Sequence, residues 1–305
     1  MISFRYHIVS IVAVFLALAL GIVVGTTALS GPITRDLRSQ LNDTKKQRND
    51  LADQVKALQG KVDDAAQFAS TYGAQLVAGS LRKKNVLLVV LPGATAGMQS
   101  GVTRQVSAAG GKVGGVVTLT KNYLDPRQGS GINSLATGPS HPIGLTLPET
   151  SDAGQLGGAL LSYVLLGKGQ RTDITQVLGS LSALHMITLD GSTVAPSNLL
   201  IVIGHGSKPA KNYGVGTEVS LVGALARAGG HVVVAGDAGS ASRGGLVASV
   251  RGATAQRGAV STVDNADNAF GQVSSVLALS AAAKGQLGHY GTEGGADALF
   301  PSPSK

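Results

Sequence analysis

The longest apolar stretch opens the chain: from Ile8 to about Leu29 no charged side chain occurs. As a helix, that run reaches across a hydrocarbon layer of ~30 Å, which predicts a membrane-spanning segment within residues 1–31. Small residues recur at every fourth position, Ala13, Ala17, Gly21 and Gly25, a spacing that lets two membrane helices approach closely. Arg5 before the run and Ala28-Leu29-Ser30 after it also suit a cleavable signal-like segment, although its apolar part exceeds the ~7 to 15 residues usual there.

Gly31-Pro32 is expected to interrupt the helix, with Pro32 opening a new one. Downstream, Leu37, Leu41, Thr44, Arg48, Leu51, Val55, Leu58, Val62, Ala65, Ala69 and Tyr72 recur at alternating spacings of four and three, which is a heptad repeat. With Leu41 at a, Val55 and Val62 are also a, and Leu37, Leu51 and Leu58 are d. That pattern predicts a parallel two-stranded coiled-coil stalk over 32–74. An amphipathic helix packed on its own domain is the alternative. Stalk and small-residue stripe together point to a parallel homodimer.

From Asn85 the pattern changes to short apolar runs stopped by Gly and Pro. Val86–Leu91, Val113–Leu119, Leu199–Ile203, His231–Ala235 and Ala259–Val263 read as strands buried on both faces. Helical periods fall between them, to Ala109, at 152–166, 173–184 and 218–228, and from Ala266 to Lys284. Alternation of strand and helix predicts an α/β domain over 81–288 with a parallel, Rossmann or flavodoxin-like sheet. Residues 121–150 are expected to form a long loop and 289–305 a disordered tail.

Composition narrows the chemistry. The 305 residues include no cysteine, so disulfides, thiolate metal sites and cysteine nucleophiles are excluded. Of the net charge of +8, residues 1–84 contribute eleven cations against six carboxylates. A basic segment beside a membrane suits anionic lipid or wall polymer, and no motif suggests nucleic acid. Charge counting leaves the side of the membrane open. No Trp and only eleven Phe and Tyr argue against a self-made spanning barrel.

In a parallel sheet, ligands collect at the strand ends, here "VLPGAT", "VIGHGS" and "VAGDAGS". His205, Ser207 and Asp237 are therefore candidates for a ligand loop. No phosphate fingerprint, nucleophile elbow or zincin motif occurs, so no enzyme activity and no catalytic residue are expected. Copper could be held by His and Met, and His185, Met186, His205 and His231 are weak candidates. His231 opens its strand and His205 follows the end of a neighbour, about 15 Å away at ~3.3 Å per residue, so one ion cannot bridge them.

The start "FRYHIVSIVAVFLALALGIVVG", the stalk, "STVDNAD" with Gly271 following, and "GHYGTEGG" together resemble the mycobacterial copper transport protein B family of actinobacterial envelope proteins. The resemblance implies an extracytoplasmic domain and involvement in copper efflux, with an outer-membrane pore proposed, so copper enters by resemblance alone. It also implies a second role, in which a neighbouring membrane protein is the partner and septal peptidoglycan hydrolases are controlled during cell division. A small-molecule or wall-glycan sensor at the strand ends is a third expectation. The resemblance carries no copper-ligand motif onto particular residues.

Overall fold

The fold is taken from a computed structural model, which describes residues 4–138, 141–191, 194–204, 206 and 214–302, with only the backbone of 26–36. The chain divides into two compact units, Met1–Asp64 and Ala65–Lys305.

The first unit is helical. Helix α1 is assigned over Phe4–Val77, so Gly31-Pro32 does not end it. Proline removes one hydrogen bond and costs about 3 kcal/mol in a helix interior, glycine about 1. Those losses are local, and helix resumes its cooperative gain on both sides. Phe4–Gly25 is long and apolar enough to cross a membrane by length and composition, and none of it is buried by protein. Leu37, Leu41, Leu51, Val55, Leu58 and Val62 are likewise open, each 51–65% exposed.

The second unit begins with the last turns of α1, where Ala69 and Val77 are buried. A Cβ at Gly73 would come within 2.7 Å of Val273, so glycine lets this helix lie close against the domain. Residues from Ala65 onward, including the last turns of the segment expected as a stalk over 32–74, fall in this second unit.

Then follow β1 (Asn85–Val90), α2 (Ala96–Ala108), β2 (Lys112–Leu119), α3 (Lys121–Leu124) and α4 (Gly129–Thr137), the last two joined by a 3-10 turn at Pro126–Gln128. The expected long loop is thus largely helical up to Thr137. Thr120 accepts from the Asn122 N–H and Asp125 from the Arg127 N–H, so polar residues that read as loop-formers serve as helix caps. Next come α5 (Ala153–Leu165), α6 (Arg171–Ala183), β3 (Ile187–Asp190), β4 (Leu199–Ile203), α7 (Val215–Arg227) and β5 (His231–Ala235). A 3-10 turn at Ala238–Ala241, α8 (Leu246–Gly252), α9 (Thr254–Arg257), β6 (Ser261–Val263), α10 (Ala269–Ala282) and β7 (His289–Tyr290) complete the chain.

Among the described residues the strands form one sheet in the order β3-β2-β1-β4-β5-β6-β7, parallel except for the edge strand β3. Side chains alternate across it, as strand geometry requires. Leu87, Val89, Leu200, Val202, Val232 and Val234 face a core shared with α4 to α8. Leu88, Val90, Ile201, Ile203 and Val233 face another, closed by α2, α10 and the end of α1. Burial on both faces explains why these strands read as continuous apolar runs. The order reverses between β1 and β4, where α2 and α7 leave toward opposite faces.

Candidate functional site

The carboxyl ends of β1, β4, β5 and β6 share one edge of the sheet, the edge on which open α/β folds place their sites. After β1, Gly93 takes φ +94° and Thr95 caps α2 by accepting from the Met98 N–H at 3.3 Å. After β4, the Gly206 N–H donates to Asp237 Oδ1 at 2.6 Å, and the Ser240 N–H donates to the same oxygen at 2.8 Å. A Cβ on Gly206 would fall 2.0 Å from Gly239, which explains why the loop after β4 carries glycine there. Asp237 therefore ties the loops after β4 and β5 together. His205 and Ser207, the other members of the expected ligand loop, lie outside the described residues.

Glu218 stands one turn into α7, on the face it shares with the buried Val222 and Leu225. Burial raises its carboxyl pKa to about 7. Asp267, after β6, is also raised, first by desolvation and then by the nearby charges of Asp237 and Asp264.

The most elaborate polar cluster joins β6 to the last residues of the chain. Arg251 and Asp264 form an ion pair at 2.9 Å, their side chains 3% and 0% exposed. Arg251 also donates through Nε to Thr262 Oγ1, and through its terminal nitrogens to the carbonyls of Tyr290 and Gly294. Asp264 in turn accepts the N–H groups of Thr292 at 2.9 Å and Glu293 at 3.3 Å. Gly291, at φ +133°, passes so close to Asp264 that a Cβ would overlap the carboxylate. The segment expected to be a disordered tail is thus ordered through Ser302, because a buried ion pair and strand β7 hold it. Sequence reasoning passed over Arg251 and Glu218, which carry no local signal. The signal for Asp264 was present: a carboxylate placed directly after an apolar strand.

His289, buried beside this pair, meets Thr262 Oγ1 through Nδ1 at 3.0 Å. Its pKa is lowered by desolvation, then by Arg257 and Arg251, against an opposing pull from Asp297. A folded pKa below the unfolded value of about 6.5 means that the unfolded chain binds the proton more readily. Stability is therefore lost as pH falls from 6.5 through the folded value. Glu218 acts in the opposite sense: its raised pKa makes the folded state the better proton binder, so stability is lost as pH rises from about 4.5 through about 7. Thermal melts should separate the two. Relative to the parent, Glu218→Gln should gain stability as pH rises from 5 to 8, by about 2 kcal/mol. His289→Gln should gain as pH falls below 6.5; parallel curves for all three proteins would contradict the assignment.

Of the copper candidates, His205 lies outside the described residues, His185 and Met186 follow α6, and His231 opens β5. After α6, His185 takes φ +53° at the helix end, with its N–H donating to the Ser182 carbonyl and that of Met186 to the Leu181 carbonyl. This Schellman geometry sends the exposed His185 and the buried Met186 in different directions. His231 pairs with Leu199 at the amino end of β5, the far end of the strand from the ligand edge. Among the described residues no group of three or more His, Asp or Glu is placed to hold a metal ion.

Comparison with known proteins covers nearly the whole chain. Residues 1–301 match the family described as copper transport outer membrane protein, MctB. Relatives called "Copper transporter MctB" in Mycobacterium bovis and Mycobacterium tuberculosis are each 33% identical over 308 residues, covering 97% of this chain and 98% of theirs. The protein of that name in Mycobacterium leprae is 31% identical over 314 residues, covering 98% and 99%. "STVDNAD" and "GHYGTEGG", separated by twenty residues, meet in the Arg251–Asp264 cluster, and with the match from end to end this chain belongs to the MctB family.

Proposed function

We propose that this chain is an envelope protein of copper homeostasis, anchored by its N-terminal helix, with residues 65–302 as an extracytoplasmic head that works without catalysis. The observation that carries the reading is the family match over residues 1–301. Phe4–Gly25 supplies the anchor. The absence of catalysis is supported at the strand ends, where Asp237 and Asp264 are engaged as acceptors of backbone N–H groups.

Copper is cargo in this reading. No group of three or more His, Asp or Glu gathers among the described residues of one chain, which favours handling by an assembly over a site within one subunit. The assembly is a parallel homodimer: Leu37, Leu41, Leu51, Val55, Leu58 and Val62 form the seam, and copies anchored in one membrane meet in parallel. Ala13, Ala17, Gly21 and Gly25 contribute close contact within the bilayer.

The test is deletion of the coding gene, with total cell copper and growth under added copper as readouts. Cells lacking the protein should retain more copper and stop growing at lower doses, and the intact chain should restore both. Unchanged copper content would overturn the efflux reading. Incomplete septa in those cells would favour the second reading, a scaffold that controls septal peptidoglycan hydrolases with an envelope protein partner. The open apolar seam supports that role equally well.

A further inference from the structure

The last turns of α1 carry an apolar stripe that the head does not cover. Ala69, Gly73 and Val77 turn inward onto the domain, whereas Phe68, Tyr72 and Leu76, at spacings of four, are 55%, 45% and 56% exposed. The rings of Phe68 and Tyr72 lie 4.9 Å apart, tilted by 41°, so the stripe presents one continuous apolar surface.

Charge sets this segment apart. Residues 35–64 include thirteen charged side chains, and the seventeen residues 65–81 include none. A water-facing helix surface is ordinarily charged, and loss of charge with gain of aromatic residues marks the core of an interface. An uncharged surface also meets its own copy without repulsion. In the heptad frame of the stalk, Tyr72 falls at d and Leu76 at the following a, so the stripe continues the seam positions after Ala69 has been taken by the head.

We infer that Phe68, Tyr72 and Leu76 dock onto the same residues of a second copy, pairing two heads through this helix. The interface is isologous, each stripe facing its equivalent across a two-fold axis. The inference rests on the parallel self-association proposed above and adds to it a contact in the globular unit.

The absence of cysteine makes a clean test possible. Full-length chains carrying Tyr72→Cys, Leu76→Cys, Ser70→Cys or Ala74→Cys are purified in detergent and oxidised with diamide. The last two positions are exposed on the other side of the helix. Residues 72 and 76 should form intermolecular disulfides about tenfold faster than 70 and 74, because only they bring equivalent Cβ atoms within bridging distance. Sedimentation of the parent chain in the same detergent separates the ways of failing. A monomeric parent would overturn the self-association reading together with this inference. A dimeric parent in which all four positions cross-link alike would overturn this inference alone.

Discussion

On the parallel pairing proposed above, placing aspartate at Leu51 and Leu58 should convert the full-length chain from dimer to monomer. Both residues hold d positions, both are about 60% exposed in a single chain, and both would be covered only by a second helix. Covering one leucine stabilises by about 1.5–3 kcal/mol, and the double change removes that at two positions on each of two helices. The loss exceeds about 6 kcal/mol, a weakening of roughly four orders of magnitude or more in the dimer constant, before any cost of burying carboxylates is counted. Ala57→Asp, at an outer c position, should leave assembly unchanged. Sedimentation equilibrium decides the matter: if the Leu51→Asp, Leu58→Asp chain keeps the mass of its parent, the seam is not the interface.

What the sequence disclosed follows the range of the forces involved. Strands β1, β4 and β5 announce themselves because burial on both faces leaves no polar position beyond the first residue of β1 and β5 and none in β4, where Leu199–Ile203 is apolar at every residue. The antiparallel edge strand β3 does not, because Thr188 and Asp190 on its open face break the run. α3 and α4 are hidden because Thr120, Asp125 and Pro126, which cap α3 and open the 3-10 turn before α4, and the Gly, Ser and Asn within α4 read as loop-formers. Order at the C-terminus is harder still to see, since it depends on Arg251 reaching residues about forty positions away in the sequence. Of the candidate site, Asp237 was legible as a strand-end residue but not as the acceptor that joins two loops. His185 and Met186 are adjacent in the sequence, yet one is exposed and the other buried, a difference that depends on backbone geometry at the end of α6.

Removing the Asp264 carboxylate should be the most damaging single change in the head. Asp264→Ala leaves the Arg251 guanidinium buried with Thr262 and two carbonyls but no counter-charge. It also strips the acceptors from the Thr292 and Glu293 N–H groups. Breaking a buried pair from one side typically costs 3–5 kcal/mol, a large part of the ~5–15 kcal/mol that holds a domain folded. Arg251→Met should cost less, because Asp264 keeps two N–H donors and its charge remains partly compensated. The double replacement, Arg251→Met with Asp264→Leu, should be milder than Asp264→Ala alone, since no buried charge is then left without a partner. Urea unfolding of the three variants gives the order. Amide exchange at Thr292 and Glu293 shows whether the loss begins in the C-terminal segment, as it must if Asp264 is what holds that segment in place. A decrease of under ~1 kcal/mol for Asp264→Ala would mean that packing of β7 and of Phe300 against Phe270, not the ion pair, orders the end of the chain.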